Sequence, residues 1–192
     1  MSFNEAAFIE SRPAPRRGGR GTGPLHDWVR ALEATAAIAR NPRRIFPLVV
    51  EEQAQARGDA PALLSAHESF TYRQLAERSN RYARWALAQN LAKGDVVCLA
   101  MPNRPEYMAI WLGLTSIGVV VALLNTHLRD ASLAHCIDIV APKHVIVAAE
   151  LLDDAQAVAG SLASRPRIWA HGGVHGGAQG GTNGSRIVEL HA

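Results

Sequence analysis

The run AIWLGLTSIGVVVALL, from Ala109 to Leu124, constrains this chain more than any other stretch. Its sixteen residues carry no charge, and Thr115 and Ser116 are its only polar side chains. Such a run either spans a membrane or fills a core. A helix needs about 20 apolar residues to cross a bilayer, and this run falls short. It also divides in two. Pro105 suits the first position of a helix, and Glu106 places a negative charge in its first turn. Gly118 lies just past the expected end of that helix. The valines that follow are β-branched and favour a packed, pleated strand. The pattern predicts a helix from Pro105 or Glu106 to about Ile117, then a strand buried on both faces of a parallel sheet.

The flanking sequence repeats the alternation. Helices are expected from His26 to Ala39 and from Phe46 to Arg57, ended by Pro42 and Gly58. The segments ALLS and SFTY suggest a small antiparallel hairpin. Thr71 and Gln74 have the spacing of a capping box for the next helix, whose inner face carries Leu75, Tyr82 and Ala86. VVCLA, Val96 to Ala100, is a strand. Leu133, Cys136, Ile137 and Val140 mark a helix stripe stopped by Pro142. HVIVAA is a third strand, Leu151 to Ala159 a short helix, and RIWA a fourth strand. Strand, helix, strand, helix, strand defines an α/β fold built of parallel βαβ units.

Three segments follow: a disordered Arg/Pro/Gly tail over 1–24, an α/β part over 25–170, and a Gly-rich flexible end over 171–192. Of the net charge of +3, the first 24 residues hold +2, because Arg12, Arg16, Arg17 and Arg20 face only Glu5 and Glu10. The remainder is close to neutral, which argues against a nucleic-acid-binding domain. RGGRG is a single copy of an Arg-Gly pattern and weak support for RNA binding. Cys98 and Cys136 stand apart, with no paired spacing, which points to a reducing cytoplasm. No basic stretch followed by an apolar one opens the chain, so no secretory signal is expected.

Ligands of open α/β sheets bind beyond the carboxyl ends of the strands. Those positions hold Asn103 and Arg104 after the first strand, and Asn125, Thr126, His127 and Arg129 after the second. Asn and Thr can hydrogen-bond a ligand, and Arg can pair with a carboxylate or phosphate. Loop turns and helix caps use the same residue types. His127, His135 and His144 are too widely spaced for a standard metal site, and glycines separate His171 from His175, so no metal site is expected. GGTNGSR, Gly180 to Arg186, has the composition of a phosphate loop but lacks the Gly-Lys-Ser/Thr ending and an apolar strand before it.

The stretch from FTYRQLAERSN through KGDVVCLAMPNRPEYMAIWLGL to ALLNTHLRDASLAHCI resembles the front of the adenylate-forming acyl-CoA synthetases. NRPEYMAIWLGL, ALLNTHLR and LAHCI are similar to one branch, the fatty acid transport proteins or very-long-chain acyl-CoA synthetases. The resemblance covers roughly Trp28 to Trp169. It implies an incomplete piece of the large N-terminal domain of such an enzyme. It also implies the parent reaction, in which ATP, a fatty acid and CoA give acyl-CoA, AMP and pyrophosphate, with Mg²⁺ as helper. The family's phosphate loop ending in lysine, its adenine-contacting motif and its C-terminal catalytic lysine are not in these 192 residues. No catalytic residue is therefore assigned, and no cofactor is expected on this chain alone. The partners implied are a fatty acid, a membrane surface on the cytoplasmic side, and either a second copy or the remainder of a synthetase. The alternative is a non-enzymatic short paralogue that holds acyl chains or docks on another protein.

Overall fold

The computed structural model describes residues 23–41, 43–172 and 187–189. The expected tail, the loop GGTNGSR and His175 lie outside the described residues. Helix α1, Pro24–Arg40, belongs to a first compact unit ending at Arg44, and the rest of the chain forms a second.

The second unit begins with α2, Phe46–Arg57, and a hairpin of β1, Pro61–Leu64, and β2, Ser69–Thr71. Helix α3, Tyr72–Ala88, opens with both halves of the capping box: Gln74 N–H donates to Thr71 Oγ1 at 3.2 Å, and Thr71 N–H donates to Gln74 Oε1 at 2.9 Å. Then come β3, Val96–Ala100; α4, Pro105–Ser116; β4, Val120–Leu123; α5, Asp130–Asp138; and β5, His144–Ala148. A 3-10 turn, Ala149–Leu151, leads into α6, Leu152–Ala159, and then β6, Arg167–His171. The long apolar run is therefore two elements. Gly118, at φ +83°, takes the turn between them, a conformation that side chains disfavour. No helix among the described residues is long and apolar enough to cross a membrane.

A seventh strand was not expected. Ile187–Glu189 forms β7, which pairs in parallel with β6 where the sequence reads as a frayed end. Three residues are too few to display a period, and the glycines before them hide the strand.

The five-stranded sheet has the order β4-β3-β5-β6-β7, with every pair parallel. Side chains alternate across it. Val97, Leu99 and Ile146 point to the face covered by α3 and α4, whereas Cys98, Val145 and Val147 point to the face covered by α5 and α6. All five residues of β5 are buried, as the middle strand of a sheet covered on both faces requires. On the first face α3 and α4 approach closely at Gly113, where a Cβ would lie 2.3 Å from the carbonyl oxygen of Ser79.

Candidate functional site

Strands β3 to β6 are parallel, so their carboxyl ends share one edge of the sheet. The order of strand addition reverses between β3 and β5: α4 leads from β3 over one face to β4 on one side, and α5 returns over the other face to β5 on the opposite side. The crevice at such a switch point is where α/β sheets bind ligands. Arg104, from the loop after β3, meets Glu150, from the turn after β5, with Nη1 3.2 Å from Oε1. The Nε and Nη2 atoms of Arg104 are buried and have no hydrogen-bond partner among the described residues. These two nitrogens form one bidentate edge of the guanidinium, the edge that matches a carboxylate or phosphate. Asn103 beside it is exposed, and both residues line a cleft of about 260 Å³ against Leu63, Tyr107 and Met108.

The other expected residues serve a different end. Asn125 Oδ1 accepts from the His127 N–H at 2.9 Å, and the Asn125 carbonyl accepts from Leu128 at 3.1 Å. This is a side-chain-capped turn. Arg129 Nη1 donates to the carbonyls of Thr126 and Leu128, both at 2.7 Å, and Nε pairs with Asp154 Oδ1 at 2.9 Å. The guanidinium thus fastens the β4–α5 loop to α6. Asn125, Thr126 and Arg129 border a void of only about 20 Å³, and His127 is exposed. The structure separates Asn103 and Arg104 from this second group, and each arginine takes its own acid from the segment after β5.

Behind Arg104 lies a buried polar cluster that sequence reasoning missed. Glu106, at the start of α4, is 5% exposed. Its Oε1 accepts from the Tyr82 hydroxyl and from Arg78 Nη1 at 3.3 Å, and lies 3.7 Å from His171 Nε2. Tyr82 Oη is also 2.9 Å from His171 Nε2, at the carboxyl end of β6. Burial pushes the Glu106 carboxyl up, but His171, Tyr82 and the Arg78 charge outweigh it and hold the group below the ordinary carboxylate value. Burial foremost, and then the bond to Glu106, raises the Tyr82 phenol. The cluster joins α3, α4 and β6 beneath the crevice. The only sequence signal for it was Glu106 at a helix start, which reads equally well as an exposed dipole partner.

A parallel sheet with crossover helices on both faces and a strand-order switch point defines an open α/β domain. The sequence model of the AMP-binding enzyme family matches residues 50–174, and the chain belongs to that family. It is 42% identical over 101 residues to long-chain fatty acid transport protein 6 of Mus musculus, covering 52% of this chain and 16% of that protein. It is 38% identical over 125 residues to long-chain fatty acid transport protein 2 of Rattus norvegicus, covering 64% of this chain and 20% of that one. The chain therefore spans about a fifth or less of these relatives. Its fold matches the anthranilate CoA ligase AuaEII, solved with anthranoyl-AMP, with a TM-score of 0.64 at 20% identity over 70% of this chain and 26% of that one.

Proposed function

We propose that these residues are the N-terminal part of an AMP-forming ligase that activates a long- or very-long-chain fatty acid. In that reaction a carboxylate oxygen attacks the α-phosphorus of ATP and pyrophosphate leaves. The sulfur of CoA then attacks the acyl carbonyl, loses its proton, and AMP leaves. The observation that carries this reading is the 42% identity to a long-chain fatty acid transport protein, held across half of the chain.

The residues described here support the reaction by position rather than by chemistry. A triphosphate with Mg²⁺ needs several backbone N–H groups and a lysine, or their equivalent, converging on it. The switch point offers one guanidinium edge, which fits a single oxyanion and not a triphosphate. No step of the nucleotide chemistry is therefore assigned to these side chains. Arg104, with Asn103 beside it, is the candidate for contact with a substrate oxyanion. Asn125, Thr126, His127 and Arg129 shape the neighbouring wall. ATP, CoA and Mg²⁺ belong to the whole enzyme, and peripheral attachment at the inner face of a membrane is part of the same reading. The test is fatty-acid-dependent exchange of pyrophosphate into ATP by the 192-residue chain. None above background is expected, and clear exchange would overturn the assignment of a positioning role.

The open side of β4 favours a second reading, a docking module that works without catalysis. β4 is an edge strand, and its Val120 and Leu123 are about half exposed. Such an edge pairs readily with more chain. Concentration-dependent self-association, lost in Val120→Lys, would support this reading, and a monomer at all concentrations would remove it.

A further inference from the structure

Helix α1, Pro24–Arg40, carries an apolar stripe that stays exposed. Leu25, Trp28, Val29 and Leu32 stand at i, i+3, i+4 and i+7, so they share one face of the helix. Leu25 is 75% and Trp28 65% exposed, and Val29 and Leu32 are nearly half exposed. Helix α3 has the same length, 17 residues, and does the opposite: its stripe of Leu75, Tyr82 and Ala86 is buried. Four large apolar side chains on one exposed face form a patch, unlike single exposed leucines scattered over a surface.

The charge around this helix is as uneven as its hydrophobicity. Within α1, Arg30 and Arg40 balance Asp27 and Glu33, and the surplus lies in the flanks. Residues 1–43 hold seven arginines against four acidic residues, a net +3, and the remaining residues sum to zero. Arg43, just past the helix, is exposed. A stripe that includes a tryptophan, set in the basic segment of the chain, is the pattern of a helix lying in the interface of an anionic bilayer. Such a helix lies on the membrane rather than across it, and no helix among the described residues is long and apolar enough to span one.

We infer that α1 is an interfacial anchor for an anionic lipid surface. Its stripe enters the boundary between headgroups and acyl chains, and the flanking arginines face the lipid phosphates. The inference deepens the peripheral attachment proposed above and rests on that reading for the membrane concerned. A second copy of the chain would also cover the stripe, but it would bring its own positive charge to the same place.

The experiment mixes the 192-residue chain with vesicles of phosphatidylcholine alone, or of equimolar phosphatidylcholine and phosphatidylglycerol. Binding is read by sedimentation and by tryptophan fluorescence. The anionic vesicles should bind roughly tenfold more tightly, with a blue shift, and added salt should erase most of that preference. Trp28→Ser should weaken binding about tenfold, the loss of one buried aromatic side chain, and leave the unfolding midpoint unchanged. Arg16→Glu combined with Arg17→Glu should remove the preference for anionic vesicles. The inference is overturned by absent binding, by equal affinity for both vesicles, by binding that Trp28→Ser leaves intact, or by self-association that depends on Trp28. The mixture contains no ATP, fatty acid or CoA, so failure here is distinguishable from failure of pyrophosphate exchange, which tests the ligase reading.

Discussion

Tyr82 on α3 donates its phenol hydrogen to the carboxylate of Glu106 on α4, and both side chains are buried. The pair turns a helix–helix contact into a fixed register. It also anchors β6, since His171 reaches the same two groups. A buried carboxylate is tolerated only with its donors in place. Tyr82→Phe removes one donor without changing the packing. It should lower unfolding free energy by about 1–3 kcal/mol in urea titration. The Glu106 carboxyl should rise toward its ordinary value in the same variant, followed by carboxyl-carbon NMR.

Gly113 sets how closely α3 and α4 pack. A Cβ there meets backbone, at 2.3 Å from Ser79 O and 3.2 Å from Ala83 N, so no side-chain rotation relieves it. Gly113→Ala should destabilise the domain by about 1–3 kcal/mol, despite alanine's better helix propensity. A midpoint equal to or above the parent's would mean that the helices separate at little cost.

Much of the fold was legible, and the limit has a physical cause. The strands and helices from Phe46 to His171 follow from periodicity, proline and glycine placement, and the Thr71–Gln74 spacing, all of which are local. Pairings between distant residues are not. Tyr82 is 24 residues from Glu106 and 89 from His171, so no local pattern announces that cluster. Arg104 and Arg129 looked equivalent in sequence. Arg129 proved to be consumed by its own loop and by Asp154, whereas Arg104 keeps a buried edge with no partner among the described residues. Only the fold distinguishes them.

His144 supplies a pH dependence. Its Nδ1 accepts from the Trp169 indole N–H at 3.1 Å, and the residue is 7% exposed. Burial first, and then the charges of Arg167 and Lys143, depress its pKa below 6.5, against the opposing pull of Asp95. The unfolded chain therefore takes up the proton first. The stabilisation is complete above pH 6.5 and is lost as pH falls from there toward the folded-state pKa. Thermal melts should show a midpoint that declines below pH 6.5, with a shallower decline in His144→Gln. Identical slopes for the two proteins would reject this origin.

The central claim, that these residues belong to a fatty-acid-activating ligase, is tested most directly on the native product. An antibody against residues 60–160 would show its size in its own cells, and the captured protein would be assayed for fatty-acid-dependent ATP–pyrophosphate exchange. A product several times heavier than 20.6 kDa that supports exchange is expected. A product near 20.6 kDa without exchange would contradict it.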